Sequence, residues 1–445
     1  FDHPLCNKRV QLEVSNISTS GFSVREGADE GYLMQGMIIP ELTINFAGAL
    51  KIPCAAQVVY RSGDREAGFR YGLSILDMDI GSYSRLAHLL ANALDRHAFI
   101  SSDVDLGALW EFLFSTGFIY PKKYGLIHSH PEKFKETYRR LYEDSPEIAQ
   151  HFTSQRNGKI YGHISMVMAY ERAWLIQHHA ARAMDQRRAG FGVLKQIMSY
   201  LNDMHRLPSM KIDYVMSYFR PENKFPDRVF GGFSRSLKRS KVCSIDLFSY
   251  LPYTGLSLGN KLPGGWTMGS CTATDLWGLN RFYNNHSGGL LLDALGLGQK
   301  KHSARSLEEI YSREGFYRRV ETYSLTCQDE LYAVLIVNKS DAGLNLSEVL
   351  NCIKILVTNP EGLPWNILSS AIGHLTGGYN MERIPVLIYP LDYVKANRVP
   401  YEKVYHVWIL DVSHGDEYMK YMKRKFRLRF ENMKGAPHQS RTAGQ

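Results

Sequence analysis

One stretch near the middle of the chain, Asp185-Gln-Arg-Arg-Ala-Gly-Phe-Gly-Val-Leu-Lys195, constrains the fold more than any other. Just before it, Trp174-Leu-Ile176 reads as a buried strand. After it, Val193, Leu194, Ile197, Met198 and Leu201 recur at helical spacing. A strand must therefore hand over to a helix across a short turn that holds two glycines. At such a junction the first helical N–H groups have no intrahelical partner, and the helix dipole favours an anion. Gly190 and Gly192 let a ligand come close to the backbone with no Cβ between. The stretch can cradle a phosphate. It can equally be a plain tight turn, and its surroundings have to decide between the two.

With 445 residues the chain has room for two to four domains, and 44% hydrophobic against 22% charged residues gives each a core. The six cysteines (Cys6, Cys54, Cys243, Cys271, Cys327, Cys352) are scattered and form no CxxC pair, which argues against a disulfide framework or a metal site. A reducing cytoplasm is the expected setting. No apolar run approaches the roughly 18 residues that span a bilayer. The opening Phe1-Asp-His-Pro4 is no secretory signal, and its lack of Met suggests that the natural chain begins earlier. A net charge of +9 favours anionic partners, among them nucleotides, phosphates, nucleic acid and anionic membrane, without choosing among them.

Over residues 1–97, short strands are expected at 10–14, 22–24, 37–46, 55–61 and 71–76, with a polar turn at 16–21. A helix over 82–94 follows, its apolar residues at Leu86, Leu89, Leu90, Ala93 and Leu94. The pattern predicts a small β-barrel with a helical lid. Asn16-x-Ser18-x-x-Gly21, Val58-Val-Tyr-Arg61 and the stretch 71–79 resemble a PilZ domain, a family that binds the bacterial messenger cyclic di-GMP. The resemblance implies messenger contacts at Arg9, Asn16, Ser18 and Gly21: polar side chains on a guanine edge, glycine under the base, arginine on phosphate. The family's Arg-x-x-x-Arg is not matched, since only Lys8 and Arg9 stand shortly before Asn16. Ordinary turn chemistry also accounts for Asn16 and Ser18.

Residues 105–251 show two helices (106–114 and 131–143), then a meander of strands at 148–155, 159–169 and 174–181 with an Asn157-Gly158 hairpin turn. The glycine stretch, its helix to Leu201, a strand at 212–219 and a last strand near 242–250 complete the unit. This order resembles a GNAT acyltransferase domain. Arg187-x-x-Gly190-x-Gly192 fits the family motif whose N–H groups hold the pyrophosphate of acyl-CoA, and Asn223 with Gly232-Phe233 fits a later segment. The resemblance implies donor contacts at Arg187, Arg188, Ala189, Gly190, Phe191, Gly192 and Asn223, with acyl-CoA or an acyl-carrier protein as donor and an amine as acceptor. The Tyr acid frequent in that family is replaced by Arg228. His178, His179, Tyr218 and Glu222 are candidates for the proton chemistry that acyl transfer needs. Neighbouring strand residues face opposite ways, so at most one of the two histidines is expected to point into the cleft.

Residues 252–270 are turn-rich and read as a linker, and 271–430 repeats the GNAT-like order of elements without residue identity to the first unit. Helices are expected at 274–283, 289–295, 306–310 and 365–375, and strands at 317–325, 330–338, 353–358, 384–389 and 404–411. The matching junction, Thr358-Asn-Pro-Glu-Gly-Leu-Pro-Trp365, has prolines without N–H groups and a glutamate that would repel phosphate. The second unit is therefore expected to bind no donor and to shape the acceptor side. Basic clusters at 235–241 and 420–429 offer surfaces for an anionic acceptor, an acidic carrier protein or a membrane. Residues 431–445 have the composition of a disordered tail. The chain is thus expected to be a multidomain bacterial cytoplasmic protein, a small β-barrel followed by two α/β units with mixed sheets. Its expected function is cyclic di-GMP-regulated N-acyl transfer. The alternative is an inactive, messenger-responsive adaptor that uses the same units as a protein-binding platform. No nucleic-acid-binding module is recognisable.

Overall fold

The computed structural model describes residues 1–428 apart from 4, 28–29, 65–67, 101–103, 120–130, 183–188, 256–261, 299–305, 342, 345, 347 and 380. Arg187, Arg188 and the stretch 431–445 thus lie outside the described residues.

Among the described residues the strands form two sheets. The first is antiparallel, in the order β1 (Glu13–Ile17), β2 (Gly21–Glu26), β5 (Gly68–Asp77), β4 (Leu50–Asp64), β3 (Ile38–Phe46). Alternating apolar residues, Ile52, Cys54, Ala56 and Val58 on β4 among them, turn one face into a core. Helix α1 (Ile80–Leu94) covers it with Tyr83, Leu86 and Ala87, and starts where the Asp79 carboxylate accepts from Ser82 N–H at 2.9 Å. The sheet curls but stays open, with β1 and β3 as its two edges, so the expected barrel is a half-barrel. The turn is also shorter than expected. An irregularity between Val14 and Asn16 carries β1 on to Ile17, and Asn16 pairs with Ser23 inside the ladder.

The second sheet has twelve strands in the order β12-β13-β14-β15-β16-β11-β17-β10-β9-β8-β7-β6. They are β6 (Ala98–Ile100), β7 (Ala149–Arg156), β8 (Lys159–Tyr170), β9 (Ala173–Ala181), β10 (Tyr214–Phe219) and β11 (Cys243–Tyr253) from the first half. The second half supplies β12 (Trp266–Ser270), β13 (Arg318–Cys327), β14 (Glu330–Ser340), β15 (Cys352–Val357), β16 (Ile384–Tyr389) and β17 (Lys403–Asp411). The order reads the same from both ends once the last strands of the halves are exchanged. β17 lies between β10 and β11, and β11 lies between β17 and β16. Each half is closed by a strand of the other. Runs such as Val407-Trp408-Ile409-Leu410 are buried as a central strand requires. The expected linker 252–270 accordingly includes the end of β11 and all of β12.

Further helices are α2 (Leu106–Ser115), α3 (Pro131–Arg139), α4 (Ala189–Met204), α5 (Ala273–His286), α6 (Trp365–Leu375) and α7 (Gly415–Phe426). The half-barrel sits on α4. Thr19 donates to Asp203 at 2.7 Å, Tyr83 donates to the Tyr200 carbonyl at 2.9 Å, and Ser209, just beyond the helix, donates to Asp77 at 2.5 Å. α7 crosses from the second half onto the other end of the site, where Tyr421 donates to the Arg228 carbonyl at 2.7 Å.

Candidate active site

β9 and β10 are parallel neighbours whose pairing starts at Ala173↔Tyr214 and ends at Ile176↔Ser217. β9 runs on to Ala181 and β10 to Phe219, and a cavity of about 660 Å³ opens in the fork. Gln177 to Ala181 form one wall and Ser217 to Arg220 another; Gly190 of α4 stands at one side, and Glu222, Asn223 and Phe225 at the lip. The second half contributes Val349 and Tyr405. At the equivalent junction of that half, β15 and β16 stay paired to Leu356↔Tyr389, the last residue of β16, and no fork forms. The loop there is closed on itself: the Asn359 side chain accepts from Gly362 N–H at 2.9 Å, and a Cβ on Gly362 would stand 2.7 Å from the Tyr332 ring.

The β9 wall carries a bulge. His163 pairs with Ala180 but Ser165 with Gln177, so His178 and His179 together face one residue of β8. His178 takes a left-handed φ of 54°. The bulge breaks the strict alternation, and both histidines are among the residues that border the cavity. Their rings have opposite partners. His178 Nε2 accepts from Leu346 N–H at 3.3 Å, which puts the ring proton on Nδ1, 3.0 Å from the Tyr138 hydroxyl of α3. His179 Nε2–H donates to the Gly190 carbonyl at 2.9 Å, leaving Nδ1 as its basic atom. Burial lowers the His179 pKa to about 4, the Gly190 carbonyl opposing it, so the ring is neutral near pH 7. The neighbouring His163 is held at about 4 in the same way.

α4 begins at Ala189, so both glycines of the motif occupy its first turn. They are not equivalent. A Cβ on Gly190 would touch Ala181 at 3.1 Å and point toward His179, whereas a Cβ on Gly192 would meet nothing within 4 Å among the described residues. Phe191 packs on Phe225 and on Phe426 of α7, ring centroids 5.1 Å apart in each case. Asn223 is exposed and opens a short helical turn, Lys224–Pro226. Gly232 has a packing reason of its own: a Cβ there would lie 2.4 Å from the Tyr421 hydroxyl.

Tyr218 is the first β10 residue past the fork and is half-buried against Tyr405, ring centroids 6.3 Å apart. Burial raises its phenol well above the ordinary value, with Lys354 pulling the other way, so it keeps its proton at neutral pH. Glu222 is exposed at the lip and Arg228 is exposed beyond it. Sequence reasoning missed Lys354 and Arg318. The Lys354 ammonium lies 5.9 Å from the Tyr218 ring centre and donates to the Val349 carbonyl at 2.7 Å. Arg318, fully buried, donates to the carbonyls of Leu350 (2.7 Å) and Ala169 (2.8 Å) and to Asn338 (3.0 Å). Their signal was available: each is a cation on a strand with a buried core, as in Ile353-Lys354-Ile355.

On the half-barrel, the Ser18 hydroxyl donates to the Gly21 carbonyl at 2.9 Å and the turn is buried against α4. A Cβ on Gly21 would lie 2.4 Å from the Leu73 carbonyl oxygen, so backbone packing alone calls for glycine. Asn16 and Arg9 are exposed, and the Asn16 amide oxygen accepts from Arg70. Among the described residues no group of three or more His, Cys, Asp or Glu is placed to hold a metal ion, and no helix is long and apolar enough to cross a membrane.

No family model matches the sequence, and no curated protein matches it. Solved structures similar to the chain include a GCN5-related N-acetyltransferase from Sphaerobacter thermophilus, 12% identical, covering 71% of this chain and 96% of that one with a TM-score of 0.35. A tandem GNAT protein from the clavulanic acid biosynthesis pathway is 12% identical and covers 59% of this chain and 83% of its own, with a TM-score of 0.30. An aminoglycoside 6'-acetyltransferase type Ii is 14% identical over 35% of this chain and 86% of its own, with a TM-score of 0.23.

Proposed function

We propose that the protein transfers an acyl group from a phosphopantetheine thioester, carried by CoA or by a carrier protein, to an amine. The observation that carries this reading is the fork between β9 and β10 with the first turn of α4 beside it. A helix of this length presents free N–H groups and a positive dipole end to a diphosphate, and Gly192 leaves open space beside them. The arm would lie in the fork, where strand edges without a neighbour offer hydrogen bonds. Arg187 and Arg188 precede the turn in the chain and are assigned to the same diphosphate.

In the proposed reaction the amine nitrogen attacks the thioester carbon as Glu222 accepts the proton that the nitrogen sheds. The C–S bond breaks and Tyr218 gives its proton to the departing sulfur; solvent exchange then returns both groups to their starting states. Tyr218 suits the acid role because its phenol stays protonated and the residue is one of those lining the cavity. His179 is a poor base with its pKa near 4, and its role is to tie the bulge to the turn through Gly190. His178 is committed to Tyr138 and Leu346 and supports the wall. The second half, which has no fork, shapes the acceptor end with Val349 and Tyr405.

The half-barrel is assigned a regulatory role with cyclic di-GMP as ligand, contacted by the exposed Arg9 and Asn16. Its turn contacts Asp203 near the end of α4, the helix whose first turn faces the donor. A ligand that changed this contact would change the donor helix only if it bound the two arrangements unequally.

Calorimetry with CoA tests the donor reading. Binding by the wild type that Gly190→Glu weakens more than about tenfold, about 1.4 kcal/mol, is expected. No binding of CoA or of long-chain acyl-CoA would favour the adaptor reading. Titration with cyclic di-GMP tests the regulatory half on its own.

A further inference from the structure

The two basic clusters near the cleft have different surroundings. In the first, Arg235 is paired with Asp227 at 2.9 Å, Arg239 with Glu417, and Lys241 donates to Asn284 at 3.1 Å and the Gly289 carbonyl at 3.2 Å. In the second, Lys423, Arg424 and Lys425 on the last turn of α7, and Arg427 just past it, are exposed and make no ion pair among the described residues. Phe426, in their midst, packs on Phe191, which packs on Phe225 of the cleft lip. Arg220, which lines the cleft, and Lys224 and Arg228, which flank Phe225 in the chain, are likewise exposed and unpaired among the described residues. Cations from opposite halves of the chain are therefore joined through Phe426, Phe191 and Phe225, with Arg220 and the Glu222 carboxylate lining the cleft itself.

We infer that this basic surface docks an acidic carrier protein, which presents the acyl thioester on a phosphopantetheine arm entering the fork. The inference rests on the donor reading above and narrows it to one kind of donor. A free nucleotide concentrates its charge on a few phosphates, which the first turn of α4 and one or two neighbouring cations serve. The cations here extend beyond the cavity over two elements, a spread that fits the acidic face of a folded partner. Exposed unpaired charges of this kind speed encounter more than they add affinity, and their effect falls with salt. The aromatic contact fixes the distance between patch and fork, as a tethered arm of set length requires.

The test uses the full chain. Wild type, K423E/R424E/K425E and K224E/R228E are titrated by calorimetry with an apo acidic acyl-carrier protein, which lacks the arm, and separately with CoA. The expected result is carrier binding by wild type that weakens at least about tenfold in each variant and on raising salt from about 50 to about 300 mM. CoA binding by K423E/R424E/K425E should match wild type. The second variant changes a different element, so a folding defect at the end of α7 cannot mimic the result. Carrier affinity that is absent in wild type, or equal in wild type and both variants, overturns the docking inference even where CoA binds. The CoA titration of wild type reports on the donor reading alone.

Discussion

Gly190 and Gly192 stand two positions apart in the same helical turn and respond oppositely to a methyl group. At Gly192 the space is open among the described residues, so Gly192→Ala should raise stability by about 0.5–1 kcal/mol through helix propensity. The same methyl would stand where the proposed diphosphate approaches, so CoA affinity should fall in calorimetry while the melting temperature rises. A gain in both would remove Gly192 from the donor site. Gly232→Ala forces Cβ against the Tyr421 hydroxyl and should cost about 1–3 kcal/mol. Tyr421→Phe, which frees that space at the loss of one hydrogen bond, should relieve most of the cost in a double-mutant cycle. Independent, additive losses would show that the two residues do not meet. His163 and His179 give a pH signature. Both are lowered from 6.5 to about 4, so between those values the unfolded chain binds protons that the folded chain does not. Stability should fall as pH drops through that window, by up to about 1.4 kcal/mol per pH unit for each group, and His163→Gln should flatten the dependence. Urea midpoints at several pH values between 7 and 5 decide it. At this scale much was legible. The glycines stand at the start of α4 and Tyr218 at the cavity because helix and strand periods place them there, and Glu222 follows in the turn after β10. The histidines could not be placed from alternation, because a bulge is a register event between two strands and leaves no mark in either one.

Helix α6 and strand β16 fall on the residues expected from apolar spacing alone, 365–375 and 384–389. Their cores are dense enough in Ile, Leu and Val for the period to be read directly. α7 escaped the same reading. Its buried side is made of Tyr418, Tyr421 and Met422 among lysines and arginines, so charge obscured the apolar stripe. β17 was found but not its position, since pairing partners far apart in sequence are invisible to local pattern. Trp408 on β17 measures what that position is worth. It packs on Phe230 of the first half at 4.7 Å and on Tyr418 of α7 at 5.8 Å. Trp408→Ala should cost about 3–5 kcal/mol. It should also weaken CoA binding, because Phe230, which lines the cavity, loses its backing. A stability loss with unchanged CoA affinity would confine Trp408 to the core.

The two halves of the twelve-stranded sheet are architecturally alike and chemically unlike. One parallel pair forks and carries a glycine turn; the other stays zipped and its loop is filled by its own side chains. The basic surface likewise exists only in the whole molecule, since α7 comes from one half and the lip from the other. Fragments cut between β11 and β12 should therefore be insoluble or unfolded when expressed singly and recover a folded complex when expressed together. A first fragment that binds CoA alone would show the exchange to be dispensable.

The exchange of last strands also sets a schedule for synthesis. β10 ends at Phe219, but its neighbour β17 begins at Lys403. At roughly 5–20 residues per second, roughly 10–40 s pass between the emergence of these two strands. Through that interval one edge of the strand that forms the cleft has no covering partner, and open edges recruit other chains. The protein should depend on holding factors while it is being made far more than once it is complete, and slowing translation between the two strands should lower its soluble yield.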